Sequence, residues 1–210
     1  RAALVQVMAS GSVMGTGFIT SPDGFVATAN HVVTSRVIVG NRTVVRYLPN
    51  IQVKLSDGRT LAAEPAMAIS NESVIHDYVF LKTRERNLPY LNLGTWNEVT
   101  EGDHLTTLGY ALNSPSPLLI TATVAGRFAI PSSADGSMVN AILFQGPANR
   151  GLSGAPLISN ATGNVVGIVT DKLVGLSPEL QNVKNQIKTA RRQGSVQIMG
   201  VETNDAMLAI

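Results

Sequence analysis

Short apolar stretches, alternating or continuous, separated by glycine-, proline- and aspartate-bearing turns, fill the first half of the chain. Leu4-Val5-Gln6-Val7-Met8 reads as a strand. Gly17-Phe18-Ile19-Thr20 leads into Ser21-Pro22-Asp23-Gly24, which carries proline and glycine where a turn wants them, and Phe25-Val26-Ala27-Thr28 returns. Ile51–Leu55 and Thr60–Ala63 flank Asp57-Gly58, a strong short-range hairpin signal. Arg36 to Leu48 reads as a further ribbon turning at Gly40-Asn41.

The second half keeps the style without repeating the sequence. Strands are expected at Leu118–Ala125, Met138–Phe144, Leu157–Ser159, Val165–Thr170 and Val196–Val201. A boundary near Asn97–Gly102 divides one domain, 1–210, into β-rich lobes over 1–97 and 98–210. So many short strands imply an all-β sandwich or barrel rather than alternating β and α units. Two segments break the pattern. Ser177-Pro178-Glu179 opens a run that ends in Arg191-Arg192 before Gly194, with a cap residue, first-turn proline and glycine stop expected of a helix. Leu180, Val183, Ile187 and Ala190 form its apolar stripe. Glu202–Ile210 reads as a short terminal helix.

Composition narrows the class. An apolar share of 44% with 14% charged residues, in a chain of 210, leaves ample core and excludes a disordered protein. The pI near 9.1 rests on 16 basic against 14 acidic residues, a net +2, and so implies no nucleic-acid surface. Cysteine is absent and histidine numbers three, which rules out disulfides and thiolate metal sites and leaves little for zinc. No apolar run approaches the roughly 18 residues of a membrane span.

Chemistry gathers at Gly151-Leu152-Ser153-Gly154-Ala155-Pro156. A serine hydroxyl is a weak nucleophile and needs a neighbouring base and donors for the oxyanion that forms. Flanking glycines let the backbone turn tightly and approach a substrate carbonyl. Histidine suits the base. Of the three, His31 ends a strand in a small-residue turn, His76 adjoins Asp77, and His104 sits in a polar loop; the latter two read as ordinary surface or half-buried histidines. Asp77 precedes the apolar run Tyr78–Leu81, and a carboxylate at the mouth of a buried strand needs a fixed partner such as an imidazole N–H. A strand-entry turn explains that aspartate equally well. Gly15-Thr16-Gly17 lacks the third glycine, lysine and helix of a nucleotide loop.

Several blocks in fixed order carry a family likeness: Gly15-Thr16-Gly17-Phe18-Ile19, Thr28-Ala29-Asn30-His31-Val32-Val33, Asp77 with Val79-Phe80-Leu81-Lys82, and Gly151-Leu152-Ser153-Gly154-Ala155-Pro156. The chain resembles chymotrypsin-fold serine proteases, most of all the HtrA/Deg protease domain. The resemblance implies two packed six-stranded antiparallel β-barrels with the site between them. It implies Ser153 as nucleophile, His31 as general base and Asp77 as the group that orients it. It places the oxyanion hole on the N–H groups of Gly151 and Ser153, worth about 3–4 kcal/mol each. Thr170 matches the hydroxyl residue that supports the buried aspartate. Ala148, Asn149, Arg150, Leu152 and Val169 would approach the substrate, and Thr170, Asp171 and Lys172 would offer it a strand edge.

The likeness also implies no cofactor, polypeptide substrates, a homo-oligomer (a trimer) and an extracytoplasmic (periplasmic or secreted) location. Departures refine it. Leu152 stands where trypsins carry the aspartate that pairs with a new N-terminal amine, so activation by cleavage before Arg1 is not expected. With no acid in the 147–150 loop, and with Val169 and Met199 apolar, the preference should be for small or medium aliphatic residues before the cut. The Ser177–Arg192 helix would either wall the specificity pocket or pack on the second barrel. No PDZ domain is expected after the last strand. A rival reading is a protease-fold peptide-binding module whose oxyanion loop, Arg150–Leu152, is misformed.

Overall fold

The computed structural model describes residues 1–40, 42–70, 76–111, 114–131, 138–147, 151–170, 196–198 and 201–203. The chain is mostly β, as its patterning implies. Strands β1 (Leu4–Ala9), β2 (Ser12–Ile19), β3 (Phe25–Ala29), β6 (Gln52–Leu55), β7 (Thr60–Pro65) and β8 (Tyr78–Thr83) close into a barrel in the order β1-β2-β3-β8-β7-β6. The β1–β2 turn is two residues, Ser10 (φ 50) and Gly11 (φ 78), the doubly left-handed geometry that matches strand twist. Alternation does the rest: β6 reads exposed-buried-exposed-buried, and its inward Val53 and Leu55 join Val5, Val7, Ile19, Val26 and Leu81 in the barrel core. The expected ribbon is present as β4 (Thr34–Val39) and β5 (Arg42–Tyr47), paired only with each other.

A second sheet runs β11-β10-β9-β12-β13, from β9 (His104–Gly109), β10 (Leu118–Pro131), β11 (Met138–Gln145), β12 (Pro156–Ser159) and β13 (Val165–Ile168). It is a five-stranded half-barrel among the described residues, where the resemblance implies a closed six-stranded barrel. β10 extends past the expected Ala125 because a bulge between Val124 and Gly126 lets it bend and keep pairing with β11. Leu105, Val99, Ala122, Val124, Leu157 and Val166 form this sheet's core. A shared cluster joins the two sheets: Leu4, Phe18 and Ala27 from the barrel meet Tyr110 and Val165.

Residues 172–210 form a separate compact unit. There the expected single strand Val196–Val201 is two short strands, β14 (Val196–Ile198) and β15 (Val201–Thr203), paired antiparallel. Glu202 and Thr203 therefore belong to a strand, not to the expected terminal helix. The expected Ser177–Arg192 helix and residues Asn204–Ile210 lie outside the described residues.

Candidate active site at the seam of two sheets

His31 does not end a strand. It lies in a one-turn helix, α1 (Asn30–Val33), that follows β3 directly. No side chain of its own segment caps this helix, so its first N–H groups need acceptors from elsewhere. Asp77 supplies them. Its backbone carbonyl accepts the Asn30 N–H at 3.1 Å, and its carboxylate Oδ1 accepts the His31 N–H at 3.0 Å. The other oxygen, Oδ2, lies 2.7 Å from His31 Nδ1. A carboxylate oxygen accepts here, so the proton of this contact lies on Nδ1.

This geometry requires Asp77 to sit in a turn with φ 55, a left-handed conformation that aspartate tolerates better than most residues. His76 occupies the same turn, and its half-buried ring packs edge-on to Tyr78. The Asp77 side chain is 3% exposed and the His31 side chain 37%, so the carboxylate is desolvated while the imidazole reaches solvent. A buried carboxylate is tolerable because its two oxygens meet, among the described residues, the N–H groups of one neighbour, whose position it thereby fixes.

Ser153 comes from the second sheet's side, on the turn preceding β12, and is 5% exposed. Its carbonyl accepts the Thr16 N–H at 2.9 Å. A Cβ built on Gly15 would stand 2.7 Å from that carbonyl and 2.9 Å from Val32 Cγ2, so Gly15 packs close to both the Ser153 backbone and the helix that carries His31. Gly154 (φ 86) presses so closely on Thr16 O and Thr28 Oγ1 that no side chain fits. Gly151 (φ 94) abuts the Tyr110 carbonyl in the same way. The two glycines thus admit the loop to the seam as well as turning it.

Leu152 is not at a substrate surface: it is 1% exposed and packs with Ala111, Ile120, Ala155 and Val169. An apolar side chain after a glycine and before an exposed-looking serine gave no signal of this. Val169 is equally committed, since its N–H donates to Ala155 O at 2.8 Å and its carbonyl accepts Gly154 N–H at 2.7 Å. Thr170 is half-buried, and among the described residues no hydrogen bond joins it to Asp77. Ala148, Asn149, Arg150, Asp171, Lys172 and Met199 lie outside the described residues. His104 begins β9 on an exposed position rather than in a loop. Among the described residues no cluster of His, Asp and Glu is placed to hold a metal ion. No helix there is long and apolar enough to cross a membrane.

A closed barrel beside a half-barrel sheet, with an imidazole–carboxylate pair and a glycine-flanked serine at their seam, defines a chymotrypsin-like fold. The chain belongs to the trypsin-like peptidase domain family, whose model matches residues 15–168. It is 32% identical over 76% of its length to a probable periplasmic serine endoprotease DegP-like of Chlamydia pneumoniae. It is 29% identical, again over 76%, to the mitochondrial serine protease HTRA2 of Drosophila willistoni. The chain covers only 29% and 33% of those two relatives. The HtrA-type protease AlgW with decapeptide superposes with a TM-score of 0.61 at 20% identity, covering 85% of this chain and 57% of that one.

Proposed function

We propose that this domain is a serine endopeptidase of the HtrA type. Ser153 attacks the peptide carbonyl, His31 Nε2 takes its proton and returns it to the leaving amine, and Asp77 holds the tautomer and stabilises the imidazolium. Backbone N–H groups of Gly151 and Ser153 would receive the oxyanion. The observation that carries this reading is the Asp77–His31 contact of 2.7 Å from a buried carboxylate to a partly exposed imidazole, beside the turn that bears Ser153.

Substrates are extended or unfolded polypeptides, cut after small or medium aliphatic residues. Two lobes, 1–97 and 98–210, contribute His31 with Asp77 and Ser153 respectively. The relatives' periplasmic naming supports work outside the cytosol. Assembly as a trimer belongs to the same proposal.

Hydrolysis of a panel of unstructured peptides, read by mass spectrometry, tests it. Cleavage after aliphatic residues, absent in Ser153→Ala, is the expected result. Cleavage only after Arg or Lys would overturn the specificity, and peptide binding without cleavage would favour the binding module.

A further inference from the structure

The Gly15-Thr16-Gly17 run, which has no nucleotide to bind, meets the serine turn from the other lobe. Thr16 is fully buried in β2, and every polar group it owns is used across chain-distant contacts. Its N–H donates to Ser153 O at 2.9 Å, and its carbonyl accepts Thr28 Oγ1 at 2.7 Å. Its hydroxyl donates to Gly151 O at 2.7 Å and accepts the Tyr110 N–H at 2.9 Å. A hydroxyl has one proton to give. With the Tyr110 amide occupying a lone pair, that proton is aimed at Gly151.

Thr16 therefore grips the carbonyls on both sides of Leu152. Peptide units are planar, so fixing an oxygen fixes the N–H at the other end of the same unit. The Ser153–Gly154 unit shows the effect: its oxygen meets Thr16 N–H, and its nitrogen meets Val169 O at 2.7 Å. By the same logic, holding Gly151 O fixes the direction of the Leu152 N–H and thus the course of the backbone between the two residues whose amides would form the oxyanion hole. Close packing leaves little slack, because a Cβ at Gly109 would lie 2.9 Å from Thr16 Oγ1 and 2.8 Å from Leu152 Cδ2.

We propose that Thr16 is a positioning residue for the oxyanion loop, setting its geometry through the hydroxyl bridge from Tyr110 N–H to Gly151 O. The inference rests on the serine-peptidase reading. Its effect is on the transition state, because the loop amides are needed most when charge develops on the substrate oxygen.

The test compares wild type, Thr16→Val and Thr16→Ser, with turnover expressed per fluorophosphonate-titrated site. Thr16→Val should lose about 10- to 100-fold in kcat with KM within about twofold, because two buried backbone groups lose their partner. Thr16→Ser, which keeps the hydroxyl, should recover to within about threefold of wild type. A Thr16→Val enzyme with wild-type kcat per site, or an equal loss in Thr16→Ser, overturns the proposal. An inactive, unlabelled wild type would instead overturn the peptidase reading. Should Thr16→Val not fold, hydrogen exchange of the wild type decides: the Tyr110 amide must exchange among the slowest, and fast exchange counts against the bridge.

Discussion

The two lobes bring their share of the site to the seam by different means. The barrel's pair comes from two neighbouring segments of one lobe. Asp77, in the turn before β8, makes two side-chain contacts to His31 of α1 and accepts the Asn30 N–H on its backbone carbonyl. The serine turn of the second lobe is held partly by its own sheet, at Val169, and partly by Thr16 of the barrel. An imidazole and the carboxylate that holds it can be built within one closed barrel, whose hydrogen-bonded strands leave no free edge. The geometry of the serine turn is shared property, since both lobes hold it.

Breaking either half of the chemistry should have the largest effect. Ser153→Ala and His31→Ala are each expected to lower kcat by about 10⁴- to 10⁶-fold without loss of cooperative melting. Circular dichroism beside single-turnover hydrolysis checks both. Asp77→Asn is subtler: the shape survives, yet an amide can present a donor to Nδ1 and favour the wrong tautomer. A drop of about 10⁴-fold in kcat is expected. That variant also tests the helix-capping role, since the Asn30 N–H keeps its carbonyl acceptor and α1 should persist.

Stability changes come next, and they sharpen the comparison between lobes. Leu81→Ala in the barrel and Leu105→Ala in the half-barrel each remove a fully buried side chain. Each should cost about 2–5 kcal/mol by denaturant titration. Gly154→Ala acts at the seam itself, where a left-handed φ of 86 and the approach to Thr16 and Thr28 forbid a Cβ. It should cost at least about 1–3 kcal/mol and abolish activity more completely than either core change. Equal activity in Gly154→Ala and in wild type would contradict a shared seam.

The smallest effect concerns Glu98, on the segment linking the lobes. Hydrogen bonds from Asn164, Thr95 and Thr162 hold its carboxyl below the ordinary glutamate range. A depressed folded-state value means stability that is present above the ordinary value and lost as pH falls through the folded one. The melting temperature should thus decline on acidification more steeply in wild type than in Glu98→Gln.

Much of this was legible in the chain. Period-two alternation and the Asp57-Gly58 turn give β6 and β7, and the Gly40-Asn41 turn gives the β4–β5 ribbon. Three things were not legible. His31 sits in a helical turn because Asp77, 46 positions away, caps it, and capping across that distance leaves no local trace. Leu152 is core because Ala111, Ile120, Ala155 and Val169 close around it, which depends on tertiary packing. Thr16 looks like one more β-propensity residue in a strand until the second lobe places Gly151 and Tyr110 against it. A small polar residue between two glycines, with no turn to make and no phosphate to bind, is the signal that was there.

The central claim is that Ser153 is a nucleophile activated by His31. A fluorophosphonate probe with peptide mapping tests it most directly. Wild type should be labelled on Ser153 alone, and His31→Ala should lose at least about 10³-fold in labelling rate while melting cooperatively. An unlabelled wild type, or a His31→Ala variant labelled as fast as wild type, would contradict the claim.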